Sequence, residues 1–218
     1  MEIQAYNTID AWKECLRKII ENGRKFIDQD KRTCIEIMNL TIVIEHPDLD
    51  IEKPIDTMQD FDLIYPTKDE LTTIILNKEN TAAYEYSYGP RIFDFQKQKN
   101  QVEGYVIPLL KKDPETRRAI ISLYNPINDS NPLYKNIPSL LIIYFRIENN
   151  RLDCSCTIRS NDFVIGWPGN IYQISILQKY VADKLNMRTG TLTTTSFSAH
   201  VFEDNKEMIN KILNNKRK

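Results

Sequence analysis

The residues able to do chemistry gather between positions 138 and 170. Pro138-Ser139 puts a hydroxyl at the start of an apolar run, an address for a nucleophile at a sheet end. Arg159-Ser160-Asn161-Asp162 then offers, within four positions, a guanidinium fork suited to phosphate, a hydroxyl donor and a carboxylate acceptor. Gly166-Trp167-Pro168-Gly169-Asn170 reads as turn punctuation, with Asn170 placed to cap the apolar helix that follows. Arg117-Arg118, just ahead of a strand, is a second candidate phosphate site. His200 follows a Thr-rich run and could line a polar pocket. Tyr84, Tyr86 and Tyr88 alternate, so they share a strand face and either pack or point hydroxyls into a cavity. Each feature also has a plain structural reading: solvated charge pairs for Arg159 with Asp162 and for the double arginine, a cap for Asn170, a structural residue for His200.

The elements that must position these residues are legible from pattern. Ile9, Trp12, Leu16, Ile19 and Ile20 mark one face of a first helix, capped by Thr8 or its neighbour and stopped at Asn22-Gly23. Thr33 to Glu45 is β-branched and ends at His46-Pro47, as a strand does. Residues 48–66 read as loop with a helical turn, and Thr67 with Glu70 forms a capping box for a helix through Asn77. Helical spacing from Asn100 to Lys112 contains Pro108, which predicts a kink. Strands follow at Ala119 to Tyr124, Leu140 to Ile147 and Leu152 to Ile158, the last two joined through Asn149-Asn150, a pair that tolerates positive φ. A buried helix spans Ile171 to Leu185, a strand Thr191 to Phe197, and a last helix Glu203 to Asn214. Helices interspersed with strands, one hairpin among them, predict an α+β fold in one domain spanning 1–218.

Composition removes several function classes. The chain has 218 residues, 41% of them hydrophobic, and its 29 basic against 30 acidic side chains leave a net charge of -1. No global field draws a nucleic-acid polymer or an anionic membrane, so any phosphate must be met by local arginines. The amino-terminal residues lack the order of a signal peptide, and no apolar run is long enough to span a bilayer; a cytoplasmic protein is expected. Four cysteines are too few for a disulfide framework, and neither His46 nor His200 stands at metal-ligand spacing from them, so no metal is expected.

In chain order these motifs resemble those of thymidylate synthase. That family carries a Tyr-Gly (here Tyr88-Gly89), a double arginine opening a strand (Arg117-Arg118), a Pro-Cys nucleophile, an Arg-Ser-x-Asp, a Gly-x-Pro-x-Asn and a His-x-Tyr. Ser139 precedes Arg159 by the family's twenty residues, and Gly166, Pro168 and Asn170 complete the next motif. The likeness is strongest from about Tyr88 to Asn205 and fits the short, archaeal-type branch. It implies an α+β fold around a large mixed sheet with flanking helices, and a homodimer whose sites are shared across sheet faces. Arg117 and Arg118 would reach the partner's nucleotide phosphate. Arg159 and Ser160 would also hold phosphate, Asn170 would read the O4 and N3 edge of uracil, and His200 would face the sugar. Asp162 would contact a methylene-bearing tetrahydrofolate or related tetrahydropterin, and Tyr88, Ser139 and Asn170 would take the catalytic positions. The implied nucleotide is dUMP or a related pyrimidine nucleotide.

Two residues depart from that pattern. Ser139 stands where the family keeps its thiol, and Phe202 where it keeps a tyrosine hydroxyl that meets the sugar. A thiol, with a pKa of about 8.5, ionises readily beside arginines, whereas a serine hydroxyl needs a paired base. Ser139 admits three readings: an exchange introduced to hold a substrate complex, a natural homologue with altered chemistry, or a nucleotide binder that does not methylate. A nucleotide hydroxymethylase is a further alternative, although Asn170 is the uracil-reading choice over the aspartate of the cytosine enzymes.

Overall fold

The computed structural model describes residues 1–79, 87–134 and 136–214. In chain order, β1 (Glu2–Ala5), α1 (Thr8–Asn22), β2 (Arg24–Ile27) and β3 (Thr33–Ile44) lead into α2 (Lys53–Gln59), α3 (Lys68–Leu76), α4 (Tyr88–Phe93) and α5 (Ile107–Lys112). Then come β4 (Ile120–Ser122), α6 (Pro126–Asp129), β5 (Leu140–Glu148), β6 (Arg151–Asp162), α7 (Gly166–Leu185), β7 (Arg188–Phe202) and α8 (Lys206–Asn214). The described strands form one seven-stranded mixed sheet in the order β1-β3-β7-β6-β5-β4, with β2 added against β3. This is the α+β class that the interspersed pattern predicts.

One sheet face carries the core. Trp12, Leu16 and Ile19 of α1 and Ile171, Ile174, Leu177 and Val181 of α7 pack over Ile42, Ile44, Cys154, Cys156, Ile158 and Leu192, all buried. At about 25 cal/mol per Å² of apolar surface, such a face is what holds the helices to the sheet. On the other face, Thr41, Val43, Ser155, Thr157, Thr193 and Thr195 are only half-buried, and Phe197, Met38 and Ile142 are exposed.

Local rules account for several junctions. Asn149 and Asn150 adopt φ of 50° and 59° and close β5 onto β6 with Glu148 opposite Arg151, a two-residue turn of the twist-matching kind. Thr67 and Glu70 cap each other reciprocally at the start of α3. A π-turn at Val102–Val106 precedes α5, which accommodates Pro108 in its first turn. Asn7 rather than Thr8 caps α1, and Asp50 reinforces that end by accepting from the backbone N–H groups of Thr8 and Ile9 at 2.7 and 3.1 Å.

The strand alternation inverts along one line across the sheet. Cys154, Cys156 and Ile158 are buried on β6, then Asn161; Leu192, Thr194 and Ser196 on β7, then Ala199 and Val201. Register is lost between Leu140 and Ile142 on β5, and pairing skips Arg159 and Asn39 opposite Phe197. Asn39 takes φ of 55° there. Irregularities stacked in this way re-aim every side chain beyond them, which is how sheets commonly furnish a site at one edge.

Candidate active site

Strand direction decides which residues meet. β6 and β7 run parallel, while β5 and β3 run antiparallel to their neighbours β6 and β7. One edge of the sheet therefore collects the carboxyl ends of β6 and β7 with the amino ends of β5 and β3. Ser139, Arg159 to Asp162, His200, Phe202 and Arg32 all lie there.

Arg159 is built in rather than loose. Its backbone N–H donates to Ser139 O at 2.8 Å, and its Nε and Nη2 donate to the carbonyls of Pro138 and Ile137 at 3.2 and 2.9 Å. The guanidinium thus fixes the turn that presents Ser139 and still has N–H groups for a ligand. Ser139 itself is half-buried, and its hydroxyl makes no hydrogen bond to a described residue. Among the described residues none is hydrogen-bonded to it as a base.

Asn170 does not cap its helix. α7 begins four residues earlier, at Gly166, because Asp162 Oδ1 accepts from the N–H groups of Val164 and Ile165 at 2.8 and 3.4 Å and turns the chain there. Pro168 falls in the first helical turn, where a missing N–H costs nothing. The Gly166–Asn170 stretch is therefore helix rather than loop. Beneath it Trp12 Nε1 donates to Phe163 O at 2.6 Å, and the rings of Trp12, Trp167 and Phe163 stack, which fixes the β6–α7 connection. Asn170 Nδ2 donates to Asn161 Oδ1 at 3.3 Å, and Asn161 Nδ2 to Ser196 Oγ at 3.1 Å. Asn161 and Ser196 are buried, so their bond is dry, while Asn170 is half-buried.

His200 is part of β7, which continues to Phe202 instead of ending at Phe197, since β6 pairs with it as far as His200 and β3 as far as Phe202. It stands opposite Asp162 on β6 and Glu36 on β3. Burial pushes the Asp162 carboxyl above the usual carboxylate range, against the pull of its two N–H bonds and of His200 and Arg32. Phe202 meets the His200 ring edge-on at 5.2 Å, and the Arg32 guanidinium covers the Phe202 ring at 4.1 Å.

Two groups of predicted residues stand elsewhere. Arg117 and Arg118 are exposed ahead of β4, where Ala119 O accepts from Phe145 N and the Arg146 guanidinium donates to Thr116 O. They lie at the level of Arg146 rather than Ser139, roughly 20 Å away along β5. Tyr88 is buried as the first residue of α4, a helix packed on α3 and β4, and so is not on a strand; Tyr84 and Tyr86 lie outside the described residues. A cleft of about 650 Å³ lined by residues such as Arg91, Phe95, Lys97 and Asn125 contains none of the predicted site residues. Among the described residues no group of three or more His, Cys, Asp and Glu could hold a metal.

Sequence reasoning gave no role to Asn161, Ser196, Arg32, Glu36 or Ser198. Arg32 carried the same signal as the double arginine, a cation directly before a strand. The others show no local signal, because their partners come from distant strands.

Comparison with known proteins decides the family. The thymidylate synthase family model matches residues 78–218. The chain belongs to the thymidylate synthase family. A protein of Methanosarcina mazei named "Putative thymidylate synthase" is 33% identical over 211 residues, 97% of this chain and 94% of the relative. One of the same name from Methanocaldococcus jannaschii is 26% identical over 93% of this chain and 90% of its own length. The thymidylate synthase of Francisella tularensis is 30% identical over 137 residues, 58% of this chain. The large mixed sheet with flanking helices is in keeping with that family, and no described helix is long and apolar enough to cross a membrane.

Proposed function

We propose that the chain binds dUMP at the edge holding Ser139, Arg159 and Asn170 and transfers a one-carbon unit to pyrimidine C5, slowly because Ser139 replaces a thiol. The observation that carries this reading is the amide of Asn170, held by the dry Asn161–Ser196 pair beside the Arg159-Ser160 phosphate position. An amide so held can donate to O4 and accept from N3–H of uracil. Arg159 and Ser160 take the phosphate, and His200 with Phe202 takes the sugar.

Asp162 suits a ring bearing N–H donors, because its Oδ2 is without a hydrogen bond among the described residues while Oδ1 is occupied. A methylene-bearing tetrahydropterin, when bound, would supply the one-carbon unit and the hydride that completes the methyl group. Asp162 would orient it, and Ser139 Oγ would stand where the family's thiolate adds to C6. With no base hydrogen-bonded to it among the described residues, the hydroxyl stays protonated and addition is slow.

The half-buried sheet face with Phe197, Met38 and Ile142 exposed suits the face-to-face homodimer of this family, and the position of Arg117 and Arg118 far from their own chain's Ser139 suits donation to a partner's phosphate. The deciding measurement is tritium release from 5-tritiated dUMP. The chain as it stands is expected to release little, and Ser139→Cys to release faster by on the order of 10³-fold or more, the scale on which single nucleophiles matter. Equal, fast release by both proteins overturns the requirement for a thiol. The unassisted Ser139 hydroxyl also favours a second reading, a non-catalytic uridine-nucleotide binder, which predicts tight dUMP binding and no turnover even in Ser139→Cys. Product mass separates methylation from hydroxymethylation.

A further inference from the structure

Glu36 is a carboxylate-bearing residue buried at an edge that this reading assigns to an anionic nucleotide, and burying such a group there is costly unless it is hydrogen-bonded. It lies on β3 directly across from His200 on β7. Ser198, two residues before His200 and on the same strand face, donates its hydroxyl to Glu36 Oε1 at 2.6 Å, and Arg24 holds the other carboxylate oxygen at 3.3 Å. A serine hydroxyl has one proton. With that proton committed to a carboxylate, Ser198 Oγ can only accept, and the group facing it is His200 Nδ1 at 3.4 Å. A neutral imidazole that donates from Nδ1 carries no proton on Nε2, which becomes an acceptor. Nε2 is without a hydrogen-bond partner among the described residues, and the neighbouring Phe202 has no hydroxyl to offer a ligand.

We propose that Glu36 and Ser198 are positioning residues that hold His200 as its Nδ1–H tautomer, so that Nε2 accepts the proton of the nucleotide's sugar 3′-hydroxyl. The proposal rests on the dUMP reading for its ligand and on the strand register for its geometry. It explains together a buried glutamate, a serine beside it and the tolerance of phenylalanine at position 202. Asp162 on β6 and Arg32 over Phe202 are the other charged groups near the ring, and neither is hydrogen-bonded to Nδ1.

The chain has two histidines, so His46→Gln leaves His200 as the sole imidazole for long-range proton–nitrogen spectroscopy of ¹⁵N-labelled protein. At a pH of about 8.5, well above the ordinary imidazole pKa of about 6.5, the Nδ1–H form is expected. Ser198→Ala removes the acceptor and Glu36→Leu frees the Ser198 proton, so both are expected to move His200 toward the Nε2–H form that free histidine favours. Affinities for dUMP and for 2′,3′-dideoxyuridine monophosphate, measured on the same proteins, are expected to differ severalfold with Ser198 present and to converge in Ser198→Ala. An Nε2–H ring in the parent protein, or a tautomer unmoved by both substitutions, overturns the relay. An Nδ1–H ring with no preference between the two nucleotides overturns the sugar contact. Failure to bind dUMP at all rejects the nucleotide reading, and the tautomer result still decides the relay.

Discussion

The two ends of the sheet hold arginines in opposite ways. At the end bearing Ser139, Arg159 uses Nε and Nη2 on the carbonyls of Pro138 and Ile137, and Arg32 is paired with Asp28 and laid over Phe202. At the other end Arg118 is 71% exposed, its Nε meets Thr116 Oγ1 at 3.5 Å and its Nη2 reaches Asp113 at 3.9 Å, and Arg117 is exposed beside it. An exposed pair at that distance contributes close to nothing to stability. The cations at the first end are held in place by the fold, whereas the double arginine is held by only long, exposed contacts. The contrast separates cations that the fold fixes from cations that it leaves to solvent, and on the proposed function the second kind is the one a partner chain would use.

The strongest way to break this comparison is at the fixed end. Arg159→Ala removes a charge from the phosphate position and leaves two carbonyls without their donor, and each charged hydrogen bond is worth about 1.5–3 kcal/mol. Affinity for dUMP, by calorimetry, is expected to fall by about 100-fold or more. Arg159→Lys should recover little of it, since a single ammonium cannot reproduce a fork that holds Ile137 and Pro138 while facing a phosphate. Unchanged affinity in Arg159→Ala would remove the nucleotide from this edge.

The double arginine should show a smaller effect, and one that depends on assembly. Arg117→Ala with Arg118→Ala is expected to weaken dUMP binding by about 10-fold or more, without lowering the melting temperature. Mixing that double variant with Arg159→Ala should regain one tight site per heterodimer: the site with an intact Arg159 then receives intact arginines from its partner. A monomer by sedimentation, or no regain on mixing, sinks the shared site.

What could be read from the sequence divides along the same physical line. The Asn149-Asn150 turn and the Thr67–Glu70 capping box were legible because each is settled by residues within a few positions of one another. β1 was missed because four residues pairing in parallel with β3 carry no local signature, and β2 because it is a short, exposed edge strand. The start of α7 was misplaced because it depends on Asp162 and on Trp12 reaching Phe163 from 151 residues away. Within the site, Arg159, Asp162, Asn170 and His200 stood out by type and spacing. Their supports, Asn161 with Ser196 and Glu36 with Ser198, became visible only when strand register brought them together.

The aromatic support beneath the site offers a test of intermediate size. Trp12→Phe keeps most of the stack but deletes the 2.6 Å bond from Nε1 to Phe163 O in a buried setting. Losing such a bond costs about 1 kcal/mol or somewhat more, which for a chain of this length lowers the melting temperature by roughly 2–4 °C. Because that bond also fixes the connection carrying Gly166 to Asn170, dUMP affinity should fall modestly in the same variant. A thermal shift with unchanged affinity would separate the scaffold from the site.

The smallest expected effect concerns the charge that the fixed end holds at a cost. Burial raises the Asp162 carboxyl in the folded chain above its unfolded value of about 3.9. Between those two values the folded state binds more protons than the unfolded state, so stability falls as pH rises through the window and stays lower above it. Asp162→Asn keeps an oxygen for the N–H of Val164 and removes the titration. Its melting temperature is therefore expected to exceed the parent's slightly at pH 7, with the difference closing as pH drops to about 3.5, below the unfolded carboxylate value. A variant less stable than the parent at pH 7 would mean that the attraction of His200 and Arg32 outweighs burial, and that the charge supports the fold. If the expected order holds, the Asp162 carboxyl is retained against stability, as a group kept for a donor-bearing ring would be.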